Sequence, residues 1–161
     1  AFRDGRRIGH DDRRNFTVVT PTPNLALGKP VTSSRPSAAP FSVERLTDGG
    51  TENLGFYLGY SPDSDPIVVT VDLERPQTVG KIVVHAYTIS GSFEKYVVEV
   101  SADGTTFEEV GRRTERPDSA AGRVVHAFDP RSVRYVRIRS FGNRGYVFDS
   151  FSKLTEIQVF E

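Results

Sequence analysis

The chain has no cysteine, methionine or tryptophan among its 161 residues, and its charges cancel, with 21 Lys and Arg against 21 Asp and Glu. The absent cysteines exclude disulfides, thiolate catalysis and Cys-ligated zinc together. The cancelled charge argues against a nucleic-acid partner, whose retention depends on a basic surplus that releases counterions. Apolar runs extend only a few residues, so none is long enough to cross a membrane as a helix, and the N-terminus has no signal-peptide core. An export signal of a parent protein would precede Ala1. Hydrophobic residues make up 37%, below the usual share, but 11 Phe and 6 Tyr supply bulk for a sandwich-sized core. The length favours one domain with a short appended segment.

Residues 1–19 hold five Arg, three Asp and a brief strand signal at 16–19. Thr20-Pro21-Thr22-Pro23 follows, and each proline fixes φ and holds the residue before it extended. Residues 1–23 therefore read as the tail of a preceding unit plus a stiff linker, with a disordered tail the alternative for 1–14. The main domain starts at Asn24 and runs to 161. Strand signals rich in β-branched residues recur at 67–73, 81–87, 95–101, 106–112, 122–128, 134–140 and 154–160. Asp103-Gly104 marks a hairpin. No stretch sustains a helical period, so very little helix is expected. Seven or more short strands at near-regular spacing point to an all-β sandwich or barrel. Residues 30–66, rich in Pro, Ser, Gly and Asp, are too long for an idle loop, and loops of that length usually carry function.

Catalytic signatures are missing. There is no G-x-S-x-G, no phosphate-cradling glycine loop and no H-E-x-x-H. His10, His85 and His126 are far apart, and the last two sit within strand patterns as half-buried sheet residues. Ser92 to Lys95 spells S-x-x-K, but at a strand entrance rather than on a helix. An enzyme is not expected. Charge is uneven along the chain: residues 42–75 hold seven acids against Arg45 and Arg75, and residues 112–144 hold nine Arg against Glu115, Asp118 and Asp129. In RYVRIRS (134–140), Val136 and Ile138 share one face, with Tyr135, Arg137 and Arg139 on the other. This reads as an outward ladder paired with acids on neighbouring strands; a basic-aromatic surface for nucleic acid is the alternative.

Five segments in order, NLALGKPVTSS (24–34), LTDGG (46–50), VTVDLERPQTVGKIVV (69–84), KYVVEVSADGTTFEEV (95–110) and VRYVRIRSFG with LTEIQVF (133–160), resemble the coagulation-factor type C, or discoidin, domain. Within it, they are most similar to carbohydrate-binding module family 32. The resemblance implies an eight-stranded jelly-roll β-sandwich of the galactose-binding-domain-like kind. Residues 1–19 are similar to the last strands of the small β-domain that follows the catalytic domain in chitobiases and other exo-glycosidases. That likeness implies the C-terminal piece of a bacterial glycoside hydrolase, secreted, periplasmic or on the cell surface.

The resemblance also implies a structural Ca²⁺ between the first Asp-Gly loop and the final strand. Its carboxylates fall at Asp48 and Glu156, and its carbonyls at Arg45, Gly50 and Thr155. Asn53 stands where relatives have Thr. These are hard oxygen donors in about the number Ca²⁺ takes, and a metal joining 48 to 156 closes a very long loop. The alternative has Asp48 capping the turn before Gly49-Gly50 and Glu156 paired with an Arg.

Sugar binding needs an aromatic face for pyranose CH groups and a few polar side chains for hydroxyls. The resemblance puts the site on loops 35–41, 54–66, 86–94 and 141–153. Aromatic candidates there are Phe56, Tyr57, Tyr60, Tyr87, Phe93, Tyr146 and Phe148, with Asn53, Asp63, Asp65, Asn143, Arg144 and Asp149 as polar neighbours. The missing Trp and the Tyr87-Thr88 pair, where galactose-binding relatives place an Arg, mean that galactose specificity does not carry over. The expected function is a non-catalytic carbohydrate-binding module, a monomer with a glycan and an attached catalytic domain as partners. Its platform is Tyr57, Tyr60 or Tyr146, with hydrogen bonds from Asn143 and Arg144. A ligand-free spacer is one alternative. The other is a discoidin-type module for protein or phospholipid, with Phe141, Phe148 and Phe151 as apolar spikes beside Arg144.

Overall fold

A computed structural model describes residues 21–37, 42–51, 59–88, 91–116, 122–145 and 150–161. Those residues form eight strands and one 3₁₀ turn, Val43–Thr47. The strands are β1 (Val31–Ser33), β2 (Gly59–Tyr60), β3 (Ile67–Ala86), β4 (Phe93–Ser101), β5 (Glu108–Arg113), β6 (Arg123–Arg144), β7 (Phe151–Ser152) and β8 (Leu154–Phe160). All pairings are antiparallel, in the order β1-β3-β6-β4-β5, with β8 on β3 and a separate β2-β7 pair. The result is the expected all-β sandwich of the galactose-binding-like kind.

Period-2 alternation builds the core. Ile67, Val69, Val71 and Leu73 are buried while the residues between them are half-exposed. Val136 and Ile138 meet them from β6, and Ile82, Val84, Ile157 and Val159 close the same cluster from the other layer. The segments expected as separate strands at 67–73 and 81–87 are one strand, as are those at 122–128 and 134–140. The intervening Pro and Gly residues mark bends instead of turns. Ladder register shifts between Asp72 and Gln77 and again between Val79 and Lys81, where β3 and β6 cross between layers. Gly80 permits the crossing, because a Cβ there would lie 3.0 Å from Pro130 Cγ and 3.4 Å from the Phe128 carbonyl.

The outward face of β6 carries the arginine ladder as expected. Arg134 grips Asp72 with two hydrogen bonds of 2.9 and 3.0 Å, and Arg131 pairs with Glu108 at 2.6 Å. Arg137 and Arg139 converge on Glu99 at 2.7 and 3.3 Å. The guanidinium of Arg137 also stacks 3.6 Å from the Phe107 ring centre. Each of these cations is compensated on the protein itself.

Candidate functional site

The site is built at the end of the sandwich where β2 and β7 pair. Two residues per strand give little cohesion, so serines tie this miniature ladder to the body. Ser61 N donates to the Ser150 carbonyl at 2.5 Å. The Ser61 hydroxyl donates to the Ser140 carbonyl and accepts from Ile67 N at 2.7 Å. Gly142, at φ +76°, lets the end of β6 pass against Ser150; a Cβ would fall 2.4 Å from that carbonyl carbon.

Beneath this ladder lies Glu94, fully buried. Its Oε1 accepts from Ser140 Oγ at 2.7 Å, its Oε2 accepts from Lys153 N at 3.1 Å, and Ser152 Oγ lies 2.8 Å from Ser140 Oγ. Burial pushes the carboxyl up to about 7, while these hydrogen bonds and the charge of buried Lys153 pull it back. The Glu94 network therefore locks β4, β6 and the segment carrying Phe151 together.

Register places Tyr60 opposite Phe151. Their rings meet edge to face, with centroids 5.6 Å apart and planes at 63°. They remain 55% and 37% exposed, the most exposed aromatic side chains among the described residues. Water-facing aromatic surface that does not enter the core is suited to a ligand. Asp63 sits beside them, bridging Arg144 at 2.5 Å and Lys95 at 2.9 Å, and both cations hold its carboxyl below the usual range. Arg144 also donates to the Asn143 carbonyl and to Ser150 Oγ. Arg35 fastens the loop by donating to the carbonyls of Tyr60 and Asp65 and pairing with the Asp65 carboxylate.

Of the residues expected to meet a ligand, Tyr60 and Arg144 come together at this corner. Tyr87 is half-buried at the end of β3, its backbone N donating to the Lys153 carbonyl at 2.9 Å. Asn143 does not face solvent. It pairs across the ladder with Glu94 and is fully buried, because strand alternation turns Arg144 outward and Asn143 inward. Neither of its side-chain polar atoms has a hydrogen-bond partner among the described residues. Tyr57, Tyr146 and Phe148 lie outside the described residues, as does Asn53 of the metal set. Phe93 is buried against Arg113. Sequence reasoning placed Phe151 among lipid-facing spikes and did not single out Lys95 as a site cation.

A second cluster joins the turn after residue 47 to β8. Glu156 is buried; Gly49 N donates to its Oε1 at 3.2 Å, and its Oε2 has no partner among the described residues. Burial pushes Glu156 up to about 8, and the Asp48 carboxylate adds like-charge repulsion. Asp48 Oδ1 accepts from Gly50 N at 2.7 Å, so the turn-capping contact forms, whereas no Arg among the described residues pairs with Glu156. Thr155 is buried on the same strand, and the Arg45 carbonyl faces Asp48 N. A buried Glu156 oxygen with no partner among the described residues, close enough to Asp48 to feel its charge, fits a cation.

The two histidines inside strands are structural: His85 Nε2 lies 3.2 Å from Gln158 Oε1, and His126 Nε2 lies 2.9 Å from the Tyr96 hydroxyl. Burial lowers the pKa of both.

The sequence matches the family described as NedA-like, galactose-binding domain, of the F5/8 type C group, over residues 45–138. The chain belongs to this family. Solved structures similar to this NedA-like domain include carbohydrate-binding modules. Chitosan-binding module 1 of a chitosanase/glucanase from Paenibacillus sp. IK-5 has 24% identity and a TM-score of 0.67, covering 86% of this chain and 98% of that one. The family 32 module of AlyQ, solved with 4,5-unsaturated mannuronic acid, has 22% identity and a TM-score of 0.64 over 82% and 94%. CpGH89CBM32-5 from Clostridium perfringens, solved with GalNAc-β-1,3-galactose, has 16% identity and a TM-score of 0.64 over 83% and 96%. At these identities the likeness establishes the shared fold. No curated protein sequence matches the chain.

Proposed function

We propose that this NedA-like domain is a non-catalytic carbohydrate-binding module whose platform is the Tyr60–Phe151 ring pair. The observation that carries this reading is the exposure of both rings on a ladder too short to serve the core, locked from beneath by buried Glu94 and the serines. A pyranose lays its CH face on the rings, and Arg144 and Lys95 meet its polar groups from the side. The neighbouring folds bind chitosan fragments, a mannuronic acid derivative or a galactoside, which agrees with a sugar as ligand class. One of them, AlyQ, carries its module with an alginate lyase domain. By the same logic this domain serves an attached catalytic domain of an exported bacterial protein, a glycoside hydrolase of the exo-glycosidase kind, and keeps it on its glycan.

A structural Ca²⁺ completes the reading. Asp48 and Glu156 would hold it, joined by the carbonyls of Arg45, Gly50 and Thr155 and by Asn53. Bound there, the ion supplies positive charge between two carboxylates and ties the turn after residue 47 to β8. The test of function is a glycan array probed with the whole chain. Binding to one sugar class is expected, weakened about tenfold or more by Tyr60→Ala or Phe151→Ala, on the order of 1.4 kcal/mol. A folded protein that binds no sugar, or variants that bind equally well, would overturn it.

A further inference from the structure

The charges around the ring pair are not balanced. Among the described residues three cations gather there, Arg35, Lys95 and Arg144, against the carboxylates of Asp63 and Asp65. That leaves a surplus of one positive charge at this corner, on a chain whose total is zero. Asp65 is spent on Arg35. Asp63 alone serves both Lys95 and Arg144.

Donor capacity tells the same story. A lysine ammonium has three N–H donors and a guanidinium five. Lys95 uses one on Asp63 and lies 5.4 Å from the centre of the Phe141 ring, which Arg139 approaches to 6.0 Å. Arg144 uses its Nη1 on the Asn143 carbonyl and Ser150 Oγ and one Nη2 hydrogen on Asp63. Its Nε and second Nη2 hydrogen have no acceptor among the described residues. Unspent, partly exposed donors of one sign beside an open aromatic shelf select a ligand that brings negative charge with its sugar rings. A cationic amino sugar meets the reverse: among the described residues, Asp63 and Asp65 at this corner are already held by cations.

We infer that the ligand is an acidic glycan, its rings on Tyr60 and Phe151 and its anionic groups on Lys95 and Arg144. This rests on the platform reading above. The anionic group is a carboxylate or a sulfate, and the two are told apart by the ligands used.

The experiment is calorimetry with the whole chain against four oligosaccharides: an oligouronate, a sulfated galactan fragment, chitotriose and a neutral galacto-oligosaccharide. Vesicles containing an anionic phospholipid form a fifth arm. The oligouronate or the sulfated fragment is expected to bind best, several-fold weaker when salt rises from about 50 to about 300 mM. Lys95→Gln and Arg144→Gln are each expected to weaken that binding about fivefold or more. Asp63→Asn, which releases both cations, is expected to preserve or tighten it; a merely structural Asp63 would give a loss. Tyr60-dependent binding of chitotriose or the neutral sugar in preference to the acidic ones overturns the inference and leaves the platform standing. Acidic binding that is indifferent to both cation variants also overturns it. Vesicle binding without sugar binding, or no binding in any arm, removes both readings.

Discussion

Glu94 and Glu156 are both carboxylates buried within the sandwich, and the protein treats them in opposite ways. Glu94 has both oxygens occupied by donors from its own chain, Ser140 Oγ and Lys153 N, and a buried lysine nearby. Glu156 has one oxygen on Gly49 N and the other on no partner among the described residues, with the Asp48 carboxylate close enough to repel it. A buried carboxyl whose hydrogen bonds are complete is an internal fastener. A buried carboxyl left half-satisfied beside a second one is what the proposed Ca²⁺ would complete. The arginine ladder of β6 is the third case: at the surface, charges pair without ordering anything inside.

The sharpest way to break this comparison is at Glu94. Glu94→Ala empties a fully buried position and leaves Lys153 N without its acceptor, and should cost about 2–5 kcal/mol in denaturant unfolding. Its pH behaviour has a definite sign. The folded carboxyl titrates near 7 instead of near 4.5, so its contribution is fully present below about pH 4.5 and is lost as pH rises through about 7. Wild type should therefore lose its advantage over Glu94→Gln, by on the order of a few kcal/mol, between about pH 5 and about pH 8. A difference that is constant across that range would refute the assignment.

Calcium sharpens the other half. At a hundredfold excess over Kd it should add about 2.7 kcal/mol, raising Tm by roughly 5–10 °C for a chain of this size. Chelation should remove the gain, and Glu156→Gln should abolish the response while Glu94→Gln retains it. Equal responses in the two variants would erase the distinction drawn between the carboxylates. The smallest effect belongs to the surface: Arg134→Ala should lower the denaturation midpoint only slightly, and less as salt rises.

Much of the fold is legible in the residues. Val, Ile and Thr alternation marks β4, β5, β8 and both halves of β3 and β6, and the faces of 134–140 are as the alternation demands. What is not legible is continuity. Pro76, Gly80 and Pro130 read locally as turns, yet a strand crossing from one layer to the other needs the same residues to bend. β2 and β7 leave no signal, because two residues have no period. The candidate site is harder still. Tyr60 and Arg144 stand out as loop residues, but the partnership of Tyr60 with Phe151 exists only through pairing between distant segments. Asn143 looks as available as Arg144 in the sequence; only the phase of β6 past Ser140 shows that one points in and the other out.

Tyr60 and Phe151 come from segments far apart in the chain, joined by a ladder of two residues on each side. A fragment that stops before residue 150 keeps one ring and has no shelf to offer. On the proposed reading, a nascent chain emerging N-terminus first would stay blind to glycan until β7 is free to pair with β2. Affinity for sugar would in that sense certify that this ladder has closed, and would be lost at its first fraying.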